Sequence, residues 1–452
     1  MLNNRREMLK VAGVISYGLA TGAGFACLSA RPQHRCVIIG AGLAGLSAAF
    51  TLQRAGWGVT IIEARNRIGG RVFTYSLPEN PQLHCELGAE WVGESHHRLQ
   101  AYCHDFQLPL QKHQFADHLL LNGQVSRPDG WGYSPQADAA WKKLLEEYQG
   151  YSDQQKQQLD RIDWWTFLED RGFLRSDLVM RELADSTDFG ESIRHVSAYA
   201  ALAEYAESSE NNEMDFKLTG GNSRLIDEFA KRIGIEHIRT GLKVSKILQA
   251  NGVVNVTAGN QVFQADACIC TVPTAAVRKI EFDPPLPAEQ VAALRQLSYS
   301  RIIKNSVLYS ERFWTQDDFS IVTDTTSHYY FHSTQKQPGI EGILTAYAIG
   351  DKADVLASQD LRRRMDLIAR DLVDVHPQAP QLARGIASYA WQTDEHTAGA
   401  YALYRPGQWF RLRPILQRPH GKVLFAGEHL ADWQGFMEGA IETGEAAAES
   451  LL

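Results

Sequence analysis

Cysteine is scarce, with six residues in a chain of 452. Cys27, Cys36, Cys85, Cys103, Cys268 and Cys270 are too few for a disulfide scaffold at this length, and none forms the paired spacing of a zinc site. A basic surplus is also missing. Lys and Arg total 45 against 53 Asp and Glu, a net charge of −8, which argues against nucleic acid as a partner. Compositional bias is absent as well: 44% hydrophobic and 22% charged residues are ordinary globular proportions, which excludes disordered, collagen-like and coiled-coil classes. At roughly 100–200 residues per domain, the length predicts two or three domains.

Residues 1–30 read differently from the rest. Arg5-Arg6-Glu7-Met8-Leu9-Lys10 precedes an uncharged, mildly apolar stretch from Val11 to Ala30. Paired arginines, an apolar residue with Lys and a weak hydrophobic region have the form of a twin-arginine export signal, expected to carry the protein to the periplasm or hold it at a membrane. An uncleaved anchor and a disordered tail are the competing readings, since about 20 residues would just span a bilayer. The protein stays cytoplasmic if the signal is not used.

Cys36-Val37-Ile38-Ile39 is a short β-branched run of the kind found in buried parallel strands. Gly40-Ala41-Gly42-Leu43-Ala44-Gly45 follows, then a helical stretch, then a second strand, Val59-Thr60-Ile61-Ile62, ending at Glu63. Gly40 allows the tight turn, Gly42 the approach of a pyrophosphate, and Gly45 close packing of helix on strand. The helix N-terminus offers partial positive charge to phosphates, and an acid about 20 residues further on can accept from a ribose 2′-hydroxyl. The order strand, glycine turn, helix, strand, acid therefore predicts a dinucleotide site. Glu63-Ala64-Arg65-Asn66-Arg67-Ile68-Gly69-Gly70-Arg71 continues directly from it. Bare backbone between guanidinium groups suits a loop wrapping a diphosphate, which favours FAD over a nicotinamide.

With Gly88-Ala89-Glu90-Trp91 added, the sequence resembles the flavin-containing amine oxidase family, which includes monoamine, polyamine and L-amino-acid oxidases. Within it the chain leans toward bacterial and cyanobacterial L-amino-acid oxidising enzymes, including those that prefer arginine. The resemblance implies an α/β fold: a Rossmann-like FAD-binding domain from residues 35–95, 215–290 and 386–452, and a mixed α+β substrate-binding domain from 96–214 and 291–385. It places Gly40, Gly42, Gly45, Glu63, Arg65, Gly70, Arg71, Gly88, Ala89, Glu90 and Trp91 at the cofactor. It adds Val244, whose backbone would meet the adenine, Gly427 and Glu428 at the ribityl chain, and Gly435 and Met437 opening the final helix toward the flavin. The positive end of that helix would stabilise negative charge on the reduced ring.

Four residues are expected at the reaction itself. Lys304 lies in an otherwise strand-like run, and composition alone reads it as an edge-strand lysine. The resemblance instead has it hold a water against flavin N5. Trp391 and Tyr401 match the segment that supplies one aromatic wall of a substrate cage, and Phe436 is the opposite wall. Ala400 stands where members with covalent flavin carry Cys, so FAD is expected to be noncovalent.

The implied reaction is hydride transfer from an amine Cα–H to flavin N5, with hydrolysis of the imine to ammonia and a keto acid or aldehyde. The partners are a small amino acid or amine and an electron acceptor, either O2 or a membrane quinone. A carboxylate clamp is sought among Arg98, Arg301 and Arg405, and an acid for a basic side chain among Glu90, Glu94 and Asp394. Polyamine oxidases carry an acid directly after Trp-Val, whereas this chain has Gly93 there and Glu94 one place later. A primary-amine or polyamine oxidase is the alternative, and a flavin-binding protein without turnover is a further one. The oligomeric state is open, a homodimer included.

Overall fold

The computed structural model describes residues 33–452. The export signal expected over residues 1–30, with Cys27, lies outside the described residues. Among these, no helix is long and apolar enough to cross a membrane.

The β-branched runs pair as read from the sequence. Arg35–Ile39 lies in a five-stranded parallel sheet between Gly58–Ile62 and Ala267–Cys270, with Ile238–Arg239 and Val423–Phe425 at the two edges. The helix Leu43–Arg54 crosses its face and buries Leu43, Leu46, Ala48, Ala49 and Leu52. A β-carbon on Gly45 would run into the Gly40 carbonyl, so only glycine lets this helix start so close to its strand. The final helix, Met437–Glu449, packs against Leu43–Arg54. A four-stranded sheet, Gln261–Ala265, Val253–Ala258, Val244–Ala250 and Glu281–Asp283, lies beside them.

A second layer is built on a seven-stranded sheet in the order Ala383–Ala390, Ile302–Tyr309, Gly342–Ile349, Tyr329–His332, Phe319–Thr323, Ala116–Leu121 and Gln124–Ser126. Ala383–Ala390 pairs along its length with Ile302–Tyr309. The position 385/386, where a domain boundary is expected, lies inside this strand. Ile302–Tyr309 has partners on both sides, so Lys304 is an interior residue, 3% exposed, and the edge-strand reading is corrected.

Helices from Pro135 to Glu207 pack on one another, and one of them, Arg175–Phe189, lies against this sheet. Their starts follow local chemistry: Ser134, Ser152, Asp163 and Ser197 each accept from a first-turn N–H, the kind of cap worth about 1 kcal/mol. Trp164, Phe167, Leu168, Phe189 and Leu202 form their core. Cys268 and Cys270 are buried and unpaired.

Candidate active site

A single cavity of about 780 Å³ extends from the glycine turn to the helical layer. Every nominated cofactor or reaction residue lines it except Gly45, which lies beneath the turn.

At one end are Gly40, Gly42, Glu63, Arg65 and Gly70, with Val244 close by in the lining. No side chain caps the helix Leu43–Arg54 at Gly42, and a β-carbon at Gly42 would meet nothing within 4 Å. The N-terminal N–H groups thus face open space, the arrangement that receives a pyrophosphate. Buried Glu63 accepts from the Ala41 N–H at 2.9 Å and the Arg65 N–H at 2.8 Å, one on each oxygen. Each oxygen keeps a further lone pair for a ribose hydroxyl. Glu63→Ala is expected to raise the FAD dissociation constant by roughly 10²-fold, the scale of a lost charge-assisted pair. Flavin retention on dialysis measures it, and unchanged retention contradicts the ribose role.

In the middle of the cavity, Arg71 Nη1 meets Glu428 Oε1 at 2.6 Å, and Glu428 Oε2 accepts from the Gly435 N–H at 2.8 Å. Burial works to raise the Glu428 carboxyl, but Arg71, His429 and the Gly435 N–H outweigh it and hold it low. Gly88, Ala89 and Gly427 complete this stretch with backbone, and Met437 lines it at the start of the final helix, which begins at Met437 rather than at Gly435. A cradle of bare backbone, a helix end, a ribose acid and a buried Arg–Glu pair fits a flavin adenine dinucleotide.

At the reacting end, Lys304 Nζ lies 2.9 Å from Glu90 Oε2, and His113 Nε2 lies 2.9 Å from Glu90 Oε1. Burial favours a neutral Glu90, yet Lys304 and His113 hold its carboxyl at about 2. Glu90 is thus committed to the lysine. Trp391 is fixed by a 2.8 Å bond from its indole N–H to the Leu87 carbonyl. The Tyr401 hydroxyl donates to the carbonyls of Thr187, at 3.1 Å, and Asp188. Gly435, at φ 83°, would put a β-carbon 3.0 Å from the Tyr401 ring, so only glycine lets the backbone ahead of Phe436 pass this close to Tyr401. The Phe436 ring is held edge-on by His96, with centroids 5.1 Å apart.

The far end is acidic. Helix Arg175–Phe189 turns Arg181, Asp185 and Asp188 to one side at spacings of four and three residues, and all three line the cavity. Asp188 accepts from the Tyr205 hydroxyl at 2.7 Å and from Asn212 at 3.0 Å. Burial, then Asp185, push its carboxyl up to about 7. Glu204 is raised well above the usual range by burial and by Asp188 and Glu213. Asp117, Glu210 and Glu213 also line this arm, against one guanidinium, Arg181. That group stands 3.7 Å from the Trp141 ring centroid and 3.4 Å from Asp185 Oδ1.

The other nominated charges lie elsewhere. Arg98 pairs with Glu445 on the surface, and Arg301 is held by Glu191, Asp351 and Asp354. Arg405 and Glu94 are exposed and do not line the cavity. Asp394 is turned to Arg65, at 2.5 Å, and to the N–H groups of His396 and Thr397. Sequence reading missed Asp188, Glu204, Arg181 and His113. The spacing of the first helix's charges was visible, but which of its faces turns inward was not, and a lone histidine carries no signal.

Comparison with known proteins agrees with this geometry. The chain is 26% identical to an L-amino-acid oxidase of Bothrops pauloensis, covering 94% of this chain and 90% of that one. It is 27% identical to an L-amino-acid oxidase of Siganus canaliculatus, covering 93% and 85%. Among solved structures, putrescine oxidase bound to putrescine superposes with a TM-score of 0.82 at 22% identity, covering 92% of this chain and 98% of that chain. Cyclohexylamine oxidase from Brevibacterium oxydans IH-35A gives 0.82 at 22% identity, covering 93% and 99%. The family model of flavin-containing amine oxidoreductases matches residues 43–452. A chain matched over nearly its whole length, with a cavity shaped for the cofactor the family is named for, belongs to the flavin-containing amine oxidoreductases.

Proposed function

We propose that the protein oxidises a primary amine carrying a second cationic group, the class that holds L-arginine and L-lysine among amino acids and agmatine and putrescine among amines. The observation behind this reading is the acidic arm: six carboxyl side chains line it against one guanidinium, which is itself engaged by Asp185. A buried cation gains most where carboxylates are already desolvated and lack their own counter-ions.

Bound FAD supplies the two-electron acceptor for the substrate Cα hydride. Tyr401 and Phe436 flank the amine and orient its Cα–H, and the Tyr401 hydroxyl is tied back so that the ring edge stays in place. Lys304 offers an N–H at the reacting edge, and the N-terminus of Met437–Glu449 offers its backbone donors. Among the described residues no cysteine lines the cavity, which favours noncovalent FAD.

The curated relatives favour the amino-acid members of the class. One observation favours the simple amines. Arg181 lies seven residues, about 10 Å along the helix, from Asp188, whose carbonyl receives Tyr401. That spacing sets the guanidinium of the arm apart from the Tyr401 end, where a carboxylate on the reacting carbon would sit. Anaerobic bleaching of the flavin by L-arginine against agmatine separates the two, since they differ only in the carboxylate.

A pH dependence follows. Below about 7 Asp188 is protonated and offers a cation no charge, and above it the carboxylate forms. The value of kcat/KM for a basic substrate is expected to rise from about pH 6 to pH 8 more steeply than for an amine without a second charge. Asp188→Asn should remove the excess slope. Equal profiles for both substrates in the parent protein contradict the assignment.

A further inference from the structure

His113 is buried beside the reacting end, and both of its ring nitrogens face oxygen acceptors. Nδ1 lies 2.7 Å from Gln335 Oε1, and Nε2 lies 2.9 Å from Glu90 Oε1. The Gln335 amide is oriented by its own bonds: its NH2 group donates to the carbonyls of Asp317, at 2.6 Å, and Gln114, at 3.4 Å. Turning the amide over would set oxygen against both carbonyls, so its oxygen faces His113. A neutral imidazole carries one N–H, and that proton is spent on Gln335. A carboxylate at Glu90 Oε1 has none to give. A neutral ring facing an ionised Glu90 would therefore set two lone pairs against each other at 2.9 Å between buried side chains, where an unmade hydrogen bond costs about 1–3 kcal/mol.

We propose that His113 and Glu90 hold one shared proton between Nε2 and Oε1, and that this pair is the positioning unit that keeps Lys304 Nζ on the cavity wall. The other oxygen of Glu90 receives Lys304 at 2.9 Å, so the proton-sharing bond on one side of the carboxylate fixes the direction of the other. Gln335, His113, Glu90 and Lys304 form a continuous chain from the turn after Tyr329–His332 to the strand that carries Lys304. Burial, then Lys217, outweigh Glu90 and Gln335 and hold the isolated ring down at about 4, so the second proton stands only as one shared with the carboxylate. His332, on Tyr329–His332, is held neutral at about 3 chiefly by burial and adds no charge, and Lys217, bonded to the Ser333 carbonyl at 2.7 Å, also faces Glu90. The count of donors decides the matter, because every one of these groups keeps its own partner when the proton is shared. The inference rests on the role given to Lys304 and adds a reason for its orientation.

The test is Glu90→Gln in the FAD-loaded protein. A glutamine can donate to Nε2 and accept from Lys304, so the fold and the Lys304 contact are expected to survive with His113 neutral. Histidine-selective 15N NMR, with His113→Asn to assign the signal, is the first readout. The parent ring should show two protonated nitrogens, and the Glu90→Gln ring one protonated and one bare nitrogen. The second readout is the flavin midpoint potential. If the proton is shared, Glu90→Gln removes a negative and a positive charge together, and the potential stays close to the parent value. If His113 is neutral in the parent, the variant gains one net positive charge beside the ring and the potential rises. One bare ring nitrogen in the parent, or a clear rise in potential, overturns the proposal. Neither outcome bears on which amine is oxidised, so substrate specificity stands or falls separately.

Discussion

Replacing Lys304 with Met is expected to slow reoxidation of the reduced protein by roughly 10²-fold, the size of a lost proton donor at a reacting centre, while FAD stays bound. The separation follows from geography. Glu63, the glycine turn and the Arg71–Glu428 pair line other stretches of the cavity, and Lys304 touches none of them. Methionine approximates the length of the stem and fits an interior strand between Gly342–Ile349 and Ala383–Ala390. Glu90 would keep His113 as a partner, so the buried carboxylate is not abandoned. Stopped-flow mixing of the reduced protein with dioxygen, and separately with a soluble quinone, reads the rate. Reoxidation at the parent rate with both acceptors contradicts the role of Lys304. A defect with one acceptor alone would also identify which one the site serves.

The second large effect is expected from the acidic arm. Asp188→Asn together with Glu204→Gln should lower kcat/KM for a basic substrate by roughly 10²-fold, the low end of the 2–5 kcal/mol lost when one partner of a buried charge pair is removed. An amine with no second charge should lose little. The fold is not the casualty. Both carboxyls are raised in the folded protein, so the folded state holds their protons more tightly than the unfolded chain, and this contribution to stability falls as pH rises, through about 7 for Asp188 and well above the usual carboxylate range for Glu204. Amides remove that cost, so Tm at pH 8 should be equal or higher. A fall in Tm with equal losses for both substrates would mean that these residues are structural.

The cofactor half was legible in the sequence because its chemistry is local. A strand, a glycine turn and a helix start must be neighbours in the chain to form an anion site, so Gly40 to Glu63 could be read as a unit. Arg71 and Glu428 are 357 residues apart, yet each sits in a glycine-rich loop whose backbone requirement marks it. The substrate half was not legible for the opposite reason. Its arm comes from one face of Arg175–Phe189, from Glu204 on the next helix and from loops, and helical periodicity does not say which polar face turns inward. Arg301 shows the converse error: a guanidinium beside a reacting strand looked like a clamp, and three carboxylates hold it outside the cavity. Lys304 was misread by composition because an interior strand lysine is rare, and its neighbours Glu90 and His113 come from distant segments.

The most direct measurement is anaerobic bleaching of bound flavin by L-arginine and agmatine against their ureido counterparts, L-citrulline and N-carbamoylputrescine. Each pair keeps shape nearly constant, removes the distal charge and exchanges one NH2 donor group for a carbonyl acceptor. Bleaching by at least one cationic member, with its ureido twin slower by roughly 10²-fold, is the expected result. Equal rates within each pair, or faster bleaching by the neutral twins, would contradict the acidic arm as a cation site and with it the proposed substrate class.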